Sequence, residues 1–186
     1  KSVFPQELEG TQIGAYLLVT LDGASEEEVD SLVEQAAELV LEEGAIDVLV
    51  ADTPGKIKDA WAARSSFLEA IMEETKLLDE CDVVVPVNRI ADYLEFVNKT
   101  GESCGLVIKS FGHAGDGNLH IYQCSNSLEE EEFKKRVDKF FGIIYKEATD
   151  CGGLVSGEHG IGSGKVKYLV DSVGETNMQI MEGIKR

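Results

Sequence analysis

The sequence is poor in positive charge. Against 35 acidic residues it has only 17 lysines and arginines, which gives a formal net charge of -18 at pH 7. Proteins that bind nucleic acid neutralise phosphates with clustered Lys and Arg, so this composition argues against a nucleic-acid partner. An anionic membrane surface is disfavoured for the same reason. A small anionic substrate would need a local cation, supplied by a buried arginine or lysine or by a metal ion.

Long apolar runs and paired cysteine motifs are also missing. No stretch reaches the roughly 18 apolar residues that span a bilayer, and no signal-peptide pattern is visible. The four cysteines show no C-x-x-C or zinc-knuckle spacing, so we expect reduced, buried thiols. These absences predict a cytoplasmic protein without a transmembrane segment, and they leave a peripheral membrane position open for a full-length protein.

Hydrophobic periodicity predicts alternating strands and helices. The chain of 186 residues has 43% hydrophobic and 28% charged residues, which is typical of one soluble globular domain. Strands are predicted at 12–21, 46–50, 81–86, 105–111 and 119–124. Helices are predicted at 25–44, 55–78, 89–98 and 127–152, the first and last with capping boxes at Ser25 and Ser127. This order predicts an α+β fold, a ferredoxin-like α/β sandwich with a mostly antiparallel sheet and additional helices.

Histidine is scarce, yet its placement is the most informative feature of the chain. All three histidines lie in two glycine-rich segments, Phe111–His120 and Ser156–Gly162. Neutral imidazole is the commonest metal ligand and is also suited to proton transfer near neutral pH. Glycines allow a tight backbone that approaches a ligand closely. We therefore interpret the two segments as parts of one site.

A metal site is the first hypothesis for these residues. His113 and His120 flank the turn of the predicted hairpin, which brings both imidazoles to one end of the sheet, and Glu158 could add a carboxylate. Two imidazoles and one carboxylate with open positions form a common catalytic metal arrangement. The ligand set suits zinc, iron(II) or manganese, and the sequence does not choose among them.

The neighbours of these residues suggest further roles. Adjacent side chains in an extended loop point to opposite sides, so we give Glu158 to the metal and His159 to proton transfer as a general base. Asp116 and Asn118 could each orient an imidazole through its second ring nitrogen. For Asp116, an ordinary turn residue is the stronger interpretation.

Arg64 lies on the apolar face of the second predicted helix, three residues after Trp61 and four before Leu68. An unpaired buried charge is costly. Either the side chain packs its stem and extends its head into water, or it binds a carboxylate. The sequence pattern alone slightly favours the first alternative.

Two long motifs resemble a known family. Phe111–His120 and Ser156–Gly162, followed by Lys165, are similar to the paired signatures of the FAD-linked oxidase C-terminal domain, which occurs in glycolate oxidase flavin subunits, D-lactate dehydrogenases and D-2-hydroxyglutarate dehydrogenase. The segments 17–23, 61–64 and 82–86 support the similarity, which covers nearly the whole chain.

The resemblance implies a flavoenzyme that transfers hydride from a D-2-hydroxy acid to FAD. It implies that His113, His120 and Glu158 bind a divalent metal, and that His159 removes the hydroxyl proton. It also favours Arg64 as the clamp of the substrate carboxylate. Lys165 matches a family position, but a plain surface lysine remains an alternative. Glu80 stands where D-2-hydroxyglutarate dehydrogenases resemble one another in having Lys, so lactate or glycolate is expected rather than a dicarboxylate.

Departures from the family pattern concern the ends of the chain. The family binds FAD mainly through a separate N-terminal domain, which is missing here, and its usual C-terminal tail is also missing. We therefore expect residues 1–186 to be an isolated substrate and cap domain, inactive by itself. Its expected partners are a 2-hydroxy acid and the missing FAD-binding domain. An electron-transfer partner is compatible with this interpretation. A metal-dependent hydrolase and a non-catalytic interaction domain are the alternatives.

Overall fold

The computed structural model describes residues 7–8 and 10–185, which fall into two units, Lys1–Leu68 and Glu69–Arg186. The first unit has a short antiparallel hairpin and two helices, namely β1 (Glu7–Leu8), β2 (Thr11–Gln12), α1 (Glu26–Glu42) and α2 (Pro54–Ser65). Ser25 accepts a hydrogen bond from the backbone N–H of Glu28 at 3.2 Å, which confirms the predicted start of α1. The assignment of residues 1–186 to one domain stays a prediction.

Two strands predicted in the first unit are wrong. Only Gln12 of the segment 12–21 is paired, and neither residues 13–21 nor residues 46–50 form a strand. Their apolar side chains are largely exposed, Leu17 by 67% and Leu49 by 71%. A strand is defined by hydrogen bonds to a neighbour, and β-branched, apolar composition cannot supply that neighbour. The predicted β-α-β unit is therefore absent from the described part of the first unit.

The remaining elements begin at the boundary between the units. They are α3 (Phe67–Glu74), β3 (Leu77–Val84), α4 (Ile90–Cys104), β4 (Val107–His113), β5 (Asn118–Ser125), α5 (Glu130–Asp150) and α6 (Val166–Lys185), the last interrupted at Gly174. The three strands form one antiparallel sheet in the order β3-β5-β4. The predicted hairpin of β4 and β5 is confirmed.

The order of these elements is that of a ferredoxin-like unit. After α5 the chain returns to the sheet, where Leu154 makes an isolated antiparallel bridge to Val84 on β3. The sequence β3-α4-β4-β5-α5 followed by this bridge is a β-α-β-β-α-β arrangement whose last strand is reduced to a single pair. The predicted α+β class is confirmed.

The core lies between one face of the sheet and the helices α4 and α5. Its fully buried members include Val83 on β3, Ile121 on β5, Val97 on α4 and Phe140 on α5. Each large apolar side chain buried in this way stabilises the fold by about 1.5–3 kcal/mol. The other face of the sheet is thereby left for polar side chains.

Several helices differ from the sequence prediction. Helix α4 continues to Cys104, beyond the predicted end at residue 98, and the prediction does not include α6. The helix predicted over 55–78 is interrupted at Ser66, whose hydroxyl donates to the Ala62 carbonyl at 2.9 Å and so competes with helix continuation. Ser127 does not cap α5, because the N-cap is Glu129. The hydroxyl of Ser125 instead accepts hydrogen bonds from the backbone before the helix.

Two further properties bear on the sequence predictions. The four cysteines are free thiols, three of them buried, and burial raises the pKa of Cys81 to about 12. None of the described helices combines the length and the apolar character needed to cross a membrane.

Candidate metal and catalytic site

The sheet face opposite the core carries the candidate site. Alternation along the strands places on this face Glu80 and Asp82 from β3, Phe111 and His113 from β4, and Asn118, His120 and Tyr122 from β5. Asp82 is directly opposite His120 in the register, and both are buried. The central strand therefore presents its histidine between two neighbouring strands.

The turn between β4 and β5 brings two histidines together. The backbone N–H of Gly117 donates to the His113 carbonyl at 3.0 Å. Gly117 has φ +78°, and a Cβ there would lie 1.9 Å from the Val85 carbonyl oxygen, so only glycine fits. The imidazole rings of His113 and His120 are 5.9 Å apart between centroids.

Asp82 holds the second glycine-rich segment against the sheet. One oxygen of its buried carboxylate accepts hydrogen bonds from three consecutive backbone N–H groups, of Gly157 at 2.7 Å, Glu158 at 2.8 Å and His159 at 3.0 Å. Its other oxygen pairs with the ammonium of Lys165. Although burial opposes ionisation, Lys165 and the N–H donors hold the pKa of Asp82 well below its usual value. The loop is thus fixed through its backbone, which leaves its side chains free for the site.

The close packing of this loop depends on Gly157. A Cβ at this position would lie 2.3 Å from Oδ1 of Asn118. Asn118 is 4% exposed, so its side chain has little room to give way. The absence of a side chain at Gly157 therefore lets the loop that carries Glu158 meet β5.

Three side chains offer donor atoms to one metal ion. Oε1 of Glu158 is 2.9 Å from Nε2 of His120 and 3.9 Å from Nε2 of His113, and the three donors lie within 4.8 Å of one another. Donors that share a metal at about 2.0–2.2 Å lie roughly 3–3.5 Å apart. The two imidazoles and the carboxylate therefore fit a divalent metal with small adjustments.

His120 is suited to be a neutral ligand. It is 5% exposed, and burial together with the neighbouring His159 lowers its pKa, against the opposing effect of Glu158 and Glu80. A lowered pKa favours the unprotonated imidazole, which is the form that binds a metal.

His159 approaches His120 from the face of the ring. The two imidazoles stack at 4.8 Å between centroids with 28° between their planes. Nδ1 of His159 is 3.1 Å from Oε1 of Glu80. Glu158 and His159 thus contact different parts of His120, and the division of their roles stays a prediction.

The other predicted residues take distinct positions. Asp116 accepts a hydrogen bond from the backbone N–H of Asn118 at 3.0 Å, which is a turn interaction. Oδ1 of Asn118 is buried without a hydrogen-bond partner among the described residues. Lys165 is not a plain surface lysine, because its side chain is 15% exposed and paired with Asp82. The roles given to Asp116 and Asn118 at the site stay predictions.

Arg64 lies near the end of α2 in the first unit and is half-buried. Its role as the clamp of a substrate carboxylate stays a prediction.

Sequence reasoning missed the structural roles of two acidic residues. From the sequence, Asp82 is included only within the segment 82–86 that supports the family resemblance, and Glu80 only for substrate selection. A charged residue within the otherwise apolar predicted strand 81–86 is the available signal for Asp82. The predicted strand began at residue 81, so alternation could not bring Glu80 onto the face of His120.

The chain belongs to a known family. The family model described as FAD linked oxidases, C-terminal domain, matches residues 5–186. This confirms the resemblance inferred from the two glycine-rich motifs.

Curated relatives agree with the family. A D-lactate dehydrogenase of Anaerostipes hadrus is 60% identical over 185 residues, covering 100% of this chain and 39% of the relative. The glycolate oxidase subunit GlcD of Bacillus subtilis (strain 168) is 31% identical over 177 residues, which cover 94% of this chain and 37% of the relative. A D-lactate dehydrogenase of Archaeoglobus fulgidus is 33% identical over 172 residues, which cover 92% of this chain and 36% of the relative. The chain therefore spans about two fifths of the length of these relatives.

Proposed function

We propose that this chain is the substrate- and metal-binding part of an FAD-dependent D-2-hydroxy-acid dehydrogenase or oxidase of the D-lactate or glycolate type. The observation that carries the proposal is the convergence of His113, His120 and Glu158 within metal-sharing distance, in a chain of the FAD-linked oxidase family. Such an enzyme oxidises the hydroxyl-bearing carbon, so that a 2-hydroxy acid becomes a 2-oxo acid.

The donor set gives these residues their role. His113 and His120 would each hold a divalent metal through Nε2, and Glu158 through Oε1. The metal, when bound, acts as a Lewis acid that makes the substrate hydroxyl more acidic. Zinc, iron(II) and manganese remain candidates, since all accept nitrogen and oxygen donors.

Proton removal is assigned to His159. Its ring stacks on that of His120, which puts it beside the metal donors. A general base must lie within hydrogen-bond reach of the proton that it takes. His159 would accept the hydroxyl proton while the carbon loses hydride, and Arg64 would hold the carboxylate so that the substrate has one orientation.

FAD supplies the hydride acceptor when it is bound. We assign FAD binding mainly to a separate domain, and the relatives are long enough to contain such a domain in the part that this chain does not cover. Consequently, we expect the 186-residue chain to bind metal but not to turn over by itself. Family membership favours this function over the hydrolase and the interaction-domain alternatives.

Metal titration and turnover test the proposal together. The purified 186-residue chain is titrated with Mn²⁺ and Zn²⁺ by calorimetry. The flavin-loaded protein, which contains this chain together with the proposed FAD-binding domain, is assayed with D-lactate, L-lactate and glycolate before and after chelation. We expect one metal per chain, oxidation of D-lactate or glycolate, and loss of turnover on chelation. The proposal would be contradicted if the metal-loaded chain hydrolysed a panel of esters, or if turnover were unchanged after chelation.

A further inference from the structure

One carboxylate oxygen of Glu80 lies close to Nδ1 of both stacked imidazoles of the site, those of His159 and His120. We propose that it is a positioning residue whose carboxylate fixes the orientation of His159 and His120 through their Nδ1 atoms. This assignment rests on the proposed function, because it explains how those two rings are held for metal binding and proton transfer.

The carboxylate of Glu80 is itself held in place. Glu80 on β3 is paired in register with Tyr122 on β5, and the Tyr122 hydroxyl donates to Oε1 of Glu80 at 3.2 Å. Tyr122 is 3% exposed, and its ring stacks on Phe111 at 5.1 Å. A buried, packed donor thus fixes the same oxygen that faces the two histidines.

The contact with His159 selects its tautomer. Nδ1 of His159 is 3.1 Å from Oε1 of Glu80, which is hydrogen-bond distance. A neutral imidazole has one N–H, and a carboxylate only accepts, so the proton lies on Nδ1. Nε2 of His159 is then the basic nitrogen, which is the form that a proton acceptor needs.

His120 shows the same arrangement with a longer contact. Its Nδ1 is buried and has no hydrogen-bond partner among the described residues, and the Glu80 oxygen is 3.7 Å away. Its Nε2 faces Glu158 at 2.9 Å. Histidines that bind a metal through one nitrogen usually donate the other N–H to a carboxylate or carbonyl. A shift of about 1 Å would bring Glu80 into that hydrogen bond.

A second metal held by Glu80, His120 and His159 is the competing interpretation, since these three also lie within 4.8 Å. It would require His120 to give Nδ1 to one metal and Nε2 to another, which leaves no proton on the ring. The geometry therefore favours positioning over a second metal.

Substitutions of Glu80 in the flavin-loaded protein test this role. Glu80→Met should weaken Mn²⁺ affinity and lower kcat for D-lactate, each by about 10- to 100-fold, with little change in KM. Glu80→Gln should recover part of both losses, because its amide oxygen still accepts an N–H. Asp79→Asn is the matched control, since Asp79 is exposed on the same strand and the variant keeps the oxygen that accepts from the Glu80 N–H.

The outcomes separate this inference from the proposed function. If the wild-type protein binds one metal and oxidises D-lactate while both Glu80 variants match it, the positioning role is wrong. Loss of a second bound metal equivalent in Glu80→Met would also overturn it. A wild-type protein without metal or turnover would overturn the proposed function instead. If Glu80→Met does not fold, Glu80→Gln and Tyr122→Phe decide the matter, with expected losses in kcat and Mn²⁺ affinity smaller than 10-fold but above those of Asp79→Asn.

Discussion

The backbone N–H of His159 donates to the carboxylate of Asp82 at 3.0 Å, across 77 positions of sequence. Asp82 belongs to the sheet, whereas His159 belongs to a loop without regular structure. The same oxygen of Asp82 receives two neighbouring N–H groups of that loop. A strand residue therefore determines where the loop presents Glu158 and His159.

Replacing Asp82 should destabilise the protein in a pH-dependent way. Asp82→Asn leaves the Lys165 ammonium without its partner, and breaking a buried pair costs about 3–5 kcal/mol. Because the pKa of Asp82 is lowered from 3.8 on folding, its contribution is complete above that pH and is lost as the pH falls through the folded-state pKa. The free energy of unfolding, measured in urea from pH 7 to pH 3, should show a constant deficit that narrows below about pH 4.

The control for this prediction is the double variant Asp82→Asn/Lys165→Met, which removes the unpaired ammonium and should recover part of the stability. A deficit that stays constant down to pH 3 in the single variant would contradict a native state stabilised by ionised Asp82.

A side chain at Gly157 should disturb the site more than the fold. Gly157→Ala puts a methyl group against the Asn118 amide, and overpacking of this kind costs about 1–3 kcal/mol. We expect weaker Mn²⁺ binding in calorimetry, because the displaced loop carries Glu158. The double variant Gly157→Ala/Asn118→Ala makes room for the methyl group and should bind Mn²⁺ more tightly than the single variant. Equal affinities in the two variants would mean that the contact is unimportant.

The sequence predicted those parts of the fold that depend on local patterns. Helix α1 and the hairpin around Gly117 follow from capping and turn residues that lie close together in the chain. Residues 13–21 and 46–50 have the composition of strands, but pairing depends on a distant partner that no local pattern reveals.

The candidate site divides in the same way. The three histidines and Glu158 were found because glycine-rich motifs concentrate them. Asp82 and Glu80 were missed as structural groups because their roles depend on the register between β3 and β5, which places them beside His120 and Tyr122.

Substitution of Arg64 should affect substrate binding more than turnover. If Arg64 clamps the carboxylate, Arg64→Met in the flavin-loaded protein should raise KM for D-lactate by about 10- to 100-fold, as expected from losing a charge-assisted hydrogen bond of about 1.5–3 kcal/mol. Arg89→Met is a suitable control, because Arg89 is paired with Asp92 at the surface. An unchanged KM in Arg64→Met would favour the alternative, in which the Arg64 guanidinium is only solvated and does not bind the substrate.

Variants of His113 and His159 should separate metal binding from proton transfer. His113→Ala removes a metal donor, so Mn²⁺ affinity should fall by more than about 100-fold, since losing a group that only hydrogen-bonds a ligand already costs about 10- to 100-fold. His159→Asn removes the base and should lower kcat by about 100- to 10,000-fold while Mn²⁺ affinity stays within a few-fold of wild type. Calorimetry and steady-state kinetics on the flavin-loaded protein measure both effects. If His159→Asn instead loses the metal as completely as His113→Ala, then His159 is a ligand and the base is a different residue.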